Sequence, residues 1–193
     1  MIADLGLLAS RLALGLGLAS HGAQKAFGWF EGPGPEGAAG FMAGLGFKPG
    51  EQFAQAASYN EIASGLLIAL GLGGPLGPAG LISGMVVAME AVHRPKGFFA
   101  GKNGVEVPVL YSAGALALAT VGYGALSFDS VLGLDEKLKH PVIVALALAG
   151  GLTAAWLVLG MRDDSPPDGT LATPTIKGAE RNGRTPAPAP AAN

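Results

Sequence analysis

Cysteine is absent from this chain of 193 residues. Without thiolates the chain forms no disulfides, iron–sulfur clusters or thiolate metal sites, and it has no cysteine redox chemistry of its own. Charged residues are also scarce, at 13% against roughly 25% in a typical soluble domain. So few charges cannot cover a surface that faces water on all sides. The formal net charge of −2 argues against a nucleic-acid partner, because such binding proteins present a basic face.

Apolar and small residues are what the chain has in abundance. Half of its residues are hydrophobic, the mean hydropathy is +0.43, and there are 32 glycines. Small residues allow membrane helices to approach each other closely, and about 20 apolar residues cross a bilayer core as a helix. We therefore predict an all-α integral membrane protein that is embedded in the lipid bilayer.

The apolar stretches predict five transmembrane helices. They occupy residues 5–30, 52–72, 76–93, 107–126 and 141–161. A glycine-rich stretch between the first two, residues 37–47, is predicted to form a short interfacial or re-entrant helix.

The composition then divides the chain into three parts. Residues 1–130 are predicted to form the four-helix membrane domain, and residues 131–162 a polar linker with the additional transmembrane helix. Residues 163–193 are rich in Pro, Ala and Thr. They are predicted to be disordered, because such a segment buries too little apolar area to offset its ordering entropy.

The distribution of basic residues predicts the orientation in the membrane. An odd number of spans places the two ends of the membrane domain on opposite sides. Positive residues favour the cytoplasmic side of short loops, which here predicts an outside N-terminus and a cytoplasmic C-terminus. One side carries Lys25, Lys48, Arg94, Lys96, Lys102 and Arg162, whereas the other carries Lys137 and Lys139.

Several ionisable residues lie inside the predicted spans, where each costs about 2.5–3.5 kcal/mol on insertion scales. His21 and Glu90 are predicted to lie at one depth, because the first and third spans run parallel. Lys25 follows His21 by one helical turn, and His93 follows Glu90 by nearly one turn, so each pair shares a helix face. We predict that these four residues converge into one polar pocket near the membrane surface.

Two further ionisable residues, Arg11 and Glu61, are predicted to form a structural ion pair that ties the first two spans together. Simpler interpretations remain open for others. Lys25 can reach the headgroups along the lipid surface, and His93 can be an ordinary helix-end residue. Two histidines also raise the question of bis-imidazole haem, but their spacing is not specific for it. No metal-binding cluster is recognised.

The order of these features resembles the DoxX family of bacterial and archaeal membrane proteins. The resemblance covers residues 5–130 and is most specific in a His-Gly-x-x-Lys-x-Phe-Gly run. The matching motifs include Arg11-Leu-Ala-Leu-Gly15, His21-Gly-Ala-Gln-Lys25-Ala-Phe-Gly28, Phe41-Met-Ala-Gly-Leu-Gly46, Glu61 within Tyr59-Asn-Glu-Ile-Ala-Ser-Gly65, His93 followed by Gly97-Phe-Phe, and Ser127-Phe-Asp129. Family members are similar in having four membrane helices, so the fifth span is a departure.

This resemblance implies a location in the bacterial or archaeal cell membrane and an association with quinone-linked respiratory enzymes. Our first hypothesis is a subunit of such an oxidoreductase, with membrane or peripheral protein partners and no intrinsic cofactor. A quinone would bind among His21, Lys25, Glu90 and His93. His21 and Glu90 would relay protons, since histidine titrates near neutral pH.

Two other hypotheses stay open. The chain can be a non-catalytic structural or assembly subunit of a larger membrane complex, in which the polar residues only brace helices. It can also be a small-solute transporter, although the spans show no inverted repeat of the kind that such proteins use.

Overall fold

The computed structural model describes residues 1–163, which are helical throughout apart from the connections. The helices are α1 (Ile2–Phe27), α2 (Gly34–Gly44), α3 (Gly50–Leu70), α4 (Leu76–Ala88), α5 (Glu106–Val121), α6 (Phe128–Val131), α7 (Asp135–Leu138) and α8 (Pro141–Gly160). A π-helical turn, Met89–His93, continues α4. Each of the five predicted spans corresponds to one long helix, and α2 corresponds to the predicted short helix.

The five long helices are α1, α3, α4, α5 and α8, and the first four form a bundle. In this bundle α3 packs against α1 and α4, and α5 packs against α4 and more lightly against α1. The shared core contains Leu18, Ile68, Leu81 and Leu118, all nearly inaccessible to solvent. Helix α8 packs along the outer side of α4. The predicted tail lies outside the described residues apart from Asp163.

Close backbone contact between α1 and α3 fixes how these two helices align. A methyl group on Gly15 would lie 2.5 Å from the carbonyl oxygen of Gly65, and one on Gly22 would lie 2.6 Å from that of Ser58. Real Cβ atoms are not found at such distances. Small residues at these positions therefore let the two antiparallel helices touch through their backbones, which is typical of membrane helix pairs.

The two ends of the bundle carry different parts of the chain. At the end that holds the start of α1, here called the proximal end, the Asp4 carboxylate accepts a hydrogen bond from the Ala125 backbone at 3.0 Å. At the opposite, distal end, the chain after α8 reaches the α2–α3 connection, where Asp163 donates to the Gly46 carbonyl at 2.9 Å. The start of α1 and the end of α8 thus lie at opposite ends.

Length and composition identify three described helices that can cross a membrane: Ile2–Phe27, Leu76–Lys96 and Pro141–Gly160. Helix α5 is apolar but has only 16 residues, and α3 is long enough but has a polar first half. Large apolar side chains such as Leu110, Leu146 and Trp156 are exposed on the outer surface, where hydrocarbon is the fitting solvent. The fold is that of an all-α, multi-pass membrane protein.

Candidate functional site

An ion pair across the α1–α3 interface joins Lys25, in the last turn of α1, to Glu61 on α3. The Lys25 ammonium (Nζ) lies 2.5 Å from Glu61 Oε1. Glu61 is only 9% exposed, and its other oxygen, Oε2, is buried without a hydrogen-bond partner within residues 1–163. A buried carboxylate oxygen without a partner is costly, so this atom marks a position where a further donor would be favourable.

A cavity of about 140 Å³ lies beside Lys25, towards the distal end, and Glu61 is not one of its lining residues. It opens between the last turn of α1, the start of α2 and the first half of α3. This space, here called the vestibule, is large enough for several water molecules, each of which needs roughly 10–15 Å³ by the same kind of measure. Its walls are formed by Lys25, Ala26, Pro35, Glu51, Ala54, Gln55, Ser58 and Tyr59.

The predicted ion pair between Arg11 and Glu61 is wrong. Arg11 lies against Gly71, ten residues beyond Glu61 on α3, which corresponds to about 15 Å along a helix. Its guanidinium instead donates to two backbone carbonyls, those of Leu126 and Tyr123. Glu61 takes Lys25 as its partner. The prediction of a structural role for Arg11 still fits these contacts, because they tie α1 to the chain after α5.

Around Arg11, a buried polar cluster closes the proximal end, which apolar periodicity does not predict. The Asp129 carboxylate is 2% exposed and accepts backbone N–H groups from Gly73 at 2.9 Å and Gly74 at 2.7 Å. Tyr123 donates its hydroxyl to the Gly74 carbonyl at 2.7 Å. Burial raises the pKa of Tyr123 well above its usual value, and the negative charge of Asp129 adds to this. These contacts indicate a structural clasp.

No hydrogen bond or ion pair joins the four residues of the predicted polar pocket to one another. Lys25 binds Glu61, whereas His21 Nδ1 lies 3.3 Å from the Gln24 side-chain oxygen. Glu90 binds Arg94 at 2.5 Å, and His93 Nδ1 lies 2.6 Å from the Asn103 carbonyl oxygen. The reason is that α1 and α4 both pack against α3 and make little contact with each other. Equal depth along the bundle therefore does not bring His21 to Glu90.

A lysine–carboxylate pair whose lysine lines a cavity of this size can do two things chemically. The ammonium group can donate hydrogen bonds to an oxygen of a ligand in the vestibule. The carboxylate can accept a proton or a hydrogen bond at its second oxygen. In a water-poor site, such charge-assisted contacts are stronger than in bulk solvent.

Taken together, the fold and the site define a small multi-pass α-helical membrane protein with a partly buried Lys25–Glu61 ion pair whose lysine lines a vestibule. Comparison with family models then places it more narrowly. Residues 6–94 match the model named DoxX, and this part of the chain belongs to the DoxX family. The match runs from α1 to the turn after α4 and includes Lys25 and Glu61; the resembling Ser127-Phe-Asp129 lies beyond it. Comparisons with curated proteins and with solved structures give no match.

Proposed function

We propose that this chain is an integral membrane subunit of a quinone-linked oxidoreductase system and that its polar site is the Lys25–Glu61 pair with the vestibule. The observation that carries the proposal is the buried, unpartnered Oε2 of Glu61, inside the DoxX-matching region. Ionisable groups at membrane depth mark functional sites by default, because their insertion is costly.

The residues present fit the chemistry of a quinone head group. A bound quinone supplies a two-electron carrier whose carbonyl oxygens take up protons when it is reduced. Lys25 would donate a hydrogen bond to one such oxygen, since an ammonium group carries three donor hydrogens and only one need face Glu61. Glu61 would hold a proton at Oε2, and Lys25, which lines the vestibule, would link the pair to water at the distal surface.

The contacts support this pair over the relay first predicted through His21 and Glu90. Glu90 is already paired with Arg94, and His93 faces the Asn103 carbonyl. His21 lies one turn before Lys25 on α1 and is exposed. We therefore retain Lys25 from the predicted quinone-binding set and add Glu61, which was predicted to be purely structural.

The electrons must come from outside this chain. Because it contains no cysteine, it cannot hold an iron–sulfur cluster on thiolates or use a dithiol. A subunit that binds a diffusing quinone beside an electron-donating partner satisfies this requirement, and this is why we propose a subunit of a larger system.

The test is to purify the full chain from its membranes in mild detergent and to extract the bound lipids. We expect quinone to copurify with the wild-type protein and to be largely lost in the Glu61→Gln and Lys25→Met variants. The matched controls are Glu31→Gln and Lys137→Met, which change exposed residues and should keep their quinone. Insertion and helix content are checked by size exclusion and circular dichroism.

Two results would contradict the proposal. One is stable copurification of the wild-type chain with a large complex but without quinone, which would favour the structural or assembly subunit. The other is equal quinone content in Glu61→Gln and Glu31→Gln, which would place any quinone elsewhere on the protein.

A further inference from the structure

The connection between the π-helical turn and α5, residues 94–105, is a closed and internally bonded loop, here called the distal loop. The Val105 N–H donates to the Gly97 carbonyl at 3.0 Å, and the Glu106 N–H donates to the Phe98 carbonyl at 2.8 Å. The Glu106 carboxylate then accepts the Ala100 N–H at 2.7 Å. Most loops leave such groups to water, whereas this one satisfies them within itself.

Two further features restrict the backbone of this loop to one shape. A methyl group on Gly104 would lie 2.5 Å from the carbonyl carbon and oxygen of Phe98, so only glycine fits where the two strands of the loop cross. His93 closes the base, because its Nδ1 atom lies 2.6 Å from the Asn103 carbonyl oxygen. The loop therefore holds its side chains in fixed positions.

What the distal loop presents to its surroundings is two aromatic rings flanked by two lysines. Phe98 and Phe99 are 54% and 68% exposed, and their rings meet edge to face with centroids 5.5 Å apart. Lys96 and Lys102 are exposed and make no ion pair within residues 1–163. The two carboxylates nearby are already engaged, Glu90 by Arg94 and Glu106 by a backbone N–H.

The loop begins where a helix long and apolar enough to cross a membrane, Leu76–Lys96, ends. The short turn that follows α1 brings two more exposed aromatic residues, Trp29 and Phe30, to the same distal end. Tryptophan concentrates at the level of the lipid headgroups, and exposed phenylalanine inserts at the boundary between headgroups and acyl chains. Lysines just beyond them meet the phosphate layer.

We propose that the distal loop is a binding site for anionic phospholipids. Lys96 and Lys102 contact the headgroup phosphate and its additional negative charge, while Phe98 and Phe99 rest on the glycerol and upper acyl region. The loop can approach this layer because several of its backbone groups are bonded internally, which lowers the cost of excluding water from them. Each lysine near an anionic lipid surface is worth about fivefold in affinity. This inference is independent of the proposed function.

The experiment measures how many lipids the full chain retains by native mass spectrometry, from an equimolar mixture of phosphatidylglycerol and phosphatidylcholine with identical acyl chains. Wild type is expected to retain phosphatidylglycerol in preference. The double variant Lys96→Gln/Lys102→Gln should lose most of this preference, by about 25-fold if the two contributions add. The variant Lys96→Arg/Lys102→Arg should keep it, which separates lost charge from a misfolded loop.

The matched control removes two lysines at the other end, Lys137→Gln/Lys139→Gln, and should leave the preference unchanged. Equal retention of the two lipids by wild type would overturn the proposal. So would an equal loss of preference in the proximal and distal double variants, because the effect would then be one of total charge. A preference that survives Lys96→Gln/Lys102→Gln would show that the loop faces something other than lipid phosphate.

Discussion

Replacing Lys25 by methionine tests the central ion pair most directly. Methionine keeps the length of the side chain and removes its charge, so the Glu61 carboxylate remains 9% exposed with no partner at either oxygen. Breaking a fully buried pair in this way costs about 3–5 kcal/mol. The Lys25 side chain is 31% exposed, so water already weakens the pair, and we expect a loss of about 2–3 kcal/mol.

The reverse change should cost less. Glu61→Gln leaves Lys25 without its partner, but the long aliphatic stem of lysine can carry the ammonium group to the vestibule or the membrane surface. We therefore expect a loss of about 1 kcal/mol or less. Removing both charges, in Lys25→Met/Glu61→Leu, should restore most of the stability, because apolar replacement of a buried pair is often nearly neutral.

The assay follows the fluorescence of the two tryptophans, Trp29 and Trp156, during unfolding in one detergent. Lys137→Met serves as the matched control, since Lys137 is exposed and forms no ion pair within residues 1–163. A Lys25→Met variant that is no less stable than Lys137→Met would contradict this expectation. So would a larger loss of stability in Glu61→Gln than in Lys25→Met.

Three further predictions concern the helix contacts and the proximal clasp. Asp129→Asn removes a charged acceptor of two backbone N–H groups and should cost about 2–3 kcal/mol of unfolding free energy in the same assay, whereas Asp135→Asn at an only partly buried site should change little. Gly15→Ala should separate α1 from α3 and lower the yield of folded protein, whereas Gly6→Ala, with open space around it, should stabilise α1 by about 0.5–1 kcal/mol. Burial raises the folded-state pKa of Tyr123 above its unfolded value, so the stability of the protein should fall as pH rises above about 10. Tyr123→Phe should reduce this loss of stability at alkaline pH. A pH profile that is the same in Tyr123→Phe and wild type would contradict the raised pKa of Tyr123.

The helices themselves are readily predictable from this sequence. Each long apolar stretch became a helix, and proline marks the start of α8 at Pro141, where its missing N–H has no cost. The structure departs from the sequence prediction mainly at the third span, where the last turn is π-helical over Met89–His93. Nothing in apolar periodicity distinguishes such a turn from an ordinary one. The same periodicity does not predict the proximal clasp, because Asp129 binds backbone N–H groups and these leave no pattern in the side-chain sequence.

Side-chain pairing was predicted less well, because depth alone does not decide which ionisable groups meet. His21 and Glu90 were matched by their distance along parallel helices, but α3 lies against both helices and separates them. Which helices are neighbours depends on the bundle order. That order follows from the whole set of packed faces and cannot be read from single residues.

For the neighbouring helices α1 and α3, small residues in the sequence do contain the missing information. Gly15 faces Gly65, and seven residues further along α1, Gly22 faces Ser58, seven residues back along α3. This alignment places Arg11 near the end of α3 and Lys25 near its first half. Glu61 lies between these two levels, so the alignment alone leaves either basic residue as a candidate.

The direction of the side chains resolves that choice. Every Cα–Cβ bond in an α-helix tilts towards the helix N-terminus. On α1 the side chain of Lys25 therefore leans towards the proximal end, and on antiparallel α3 that of Glu61 leans towards the distal end, so the two lean towards each other. Arg11 leans away from Glu61 towards the proximal loops, where carbonyl oxygens of Tyr123 and Leu126 receive it. In a membrane bundle with few charges, an ion pair between two antiparallel helices is therefore expected under one condition. Each of its two residues must lie closer to the C-terminus of its own helix than the level at which its partner sits.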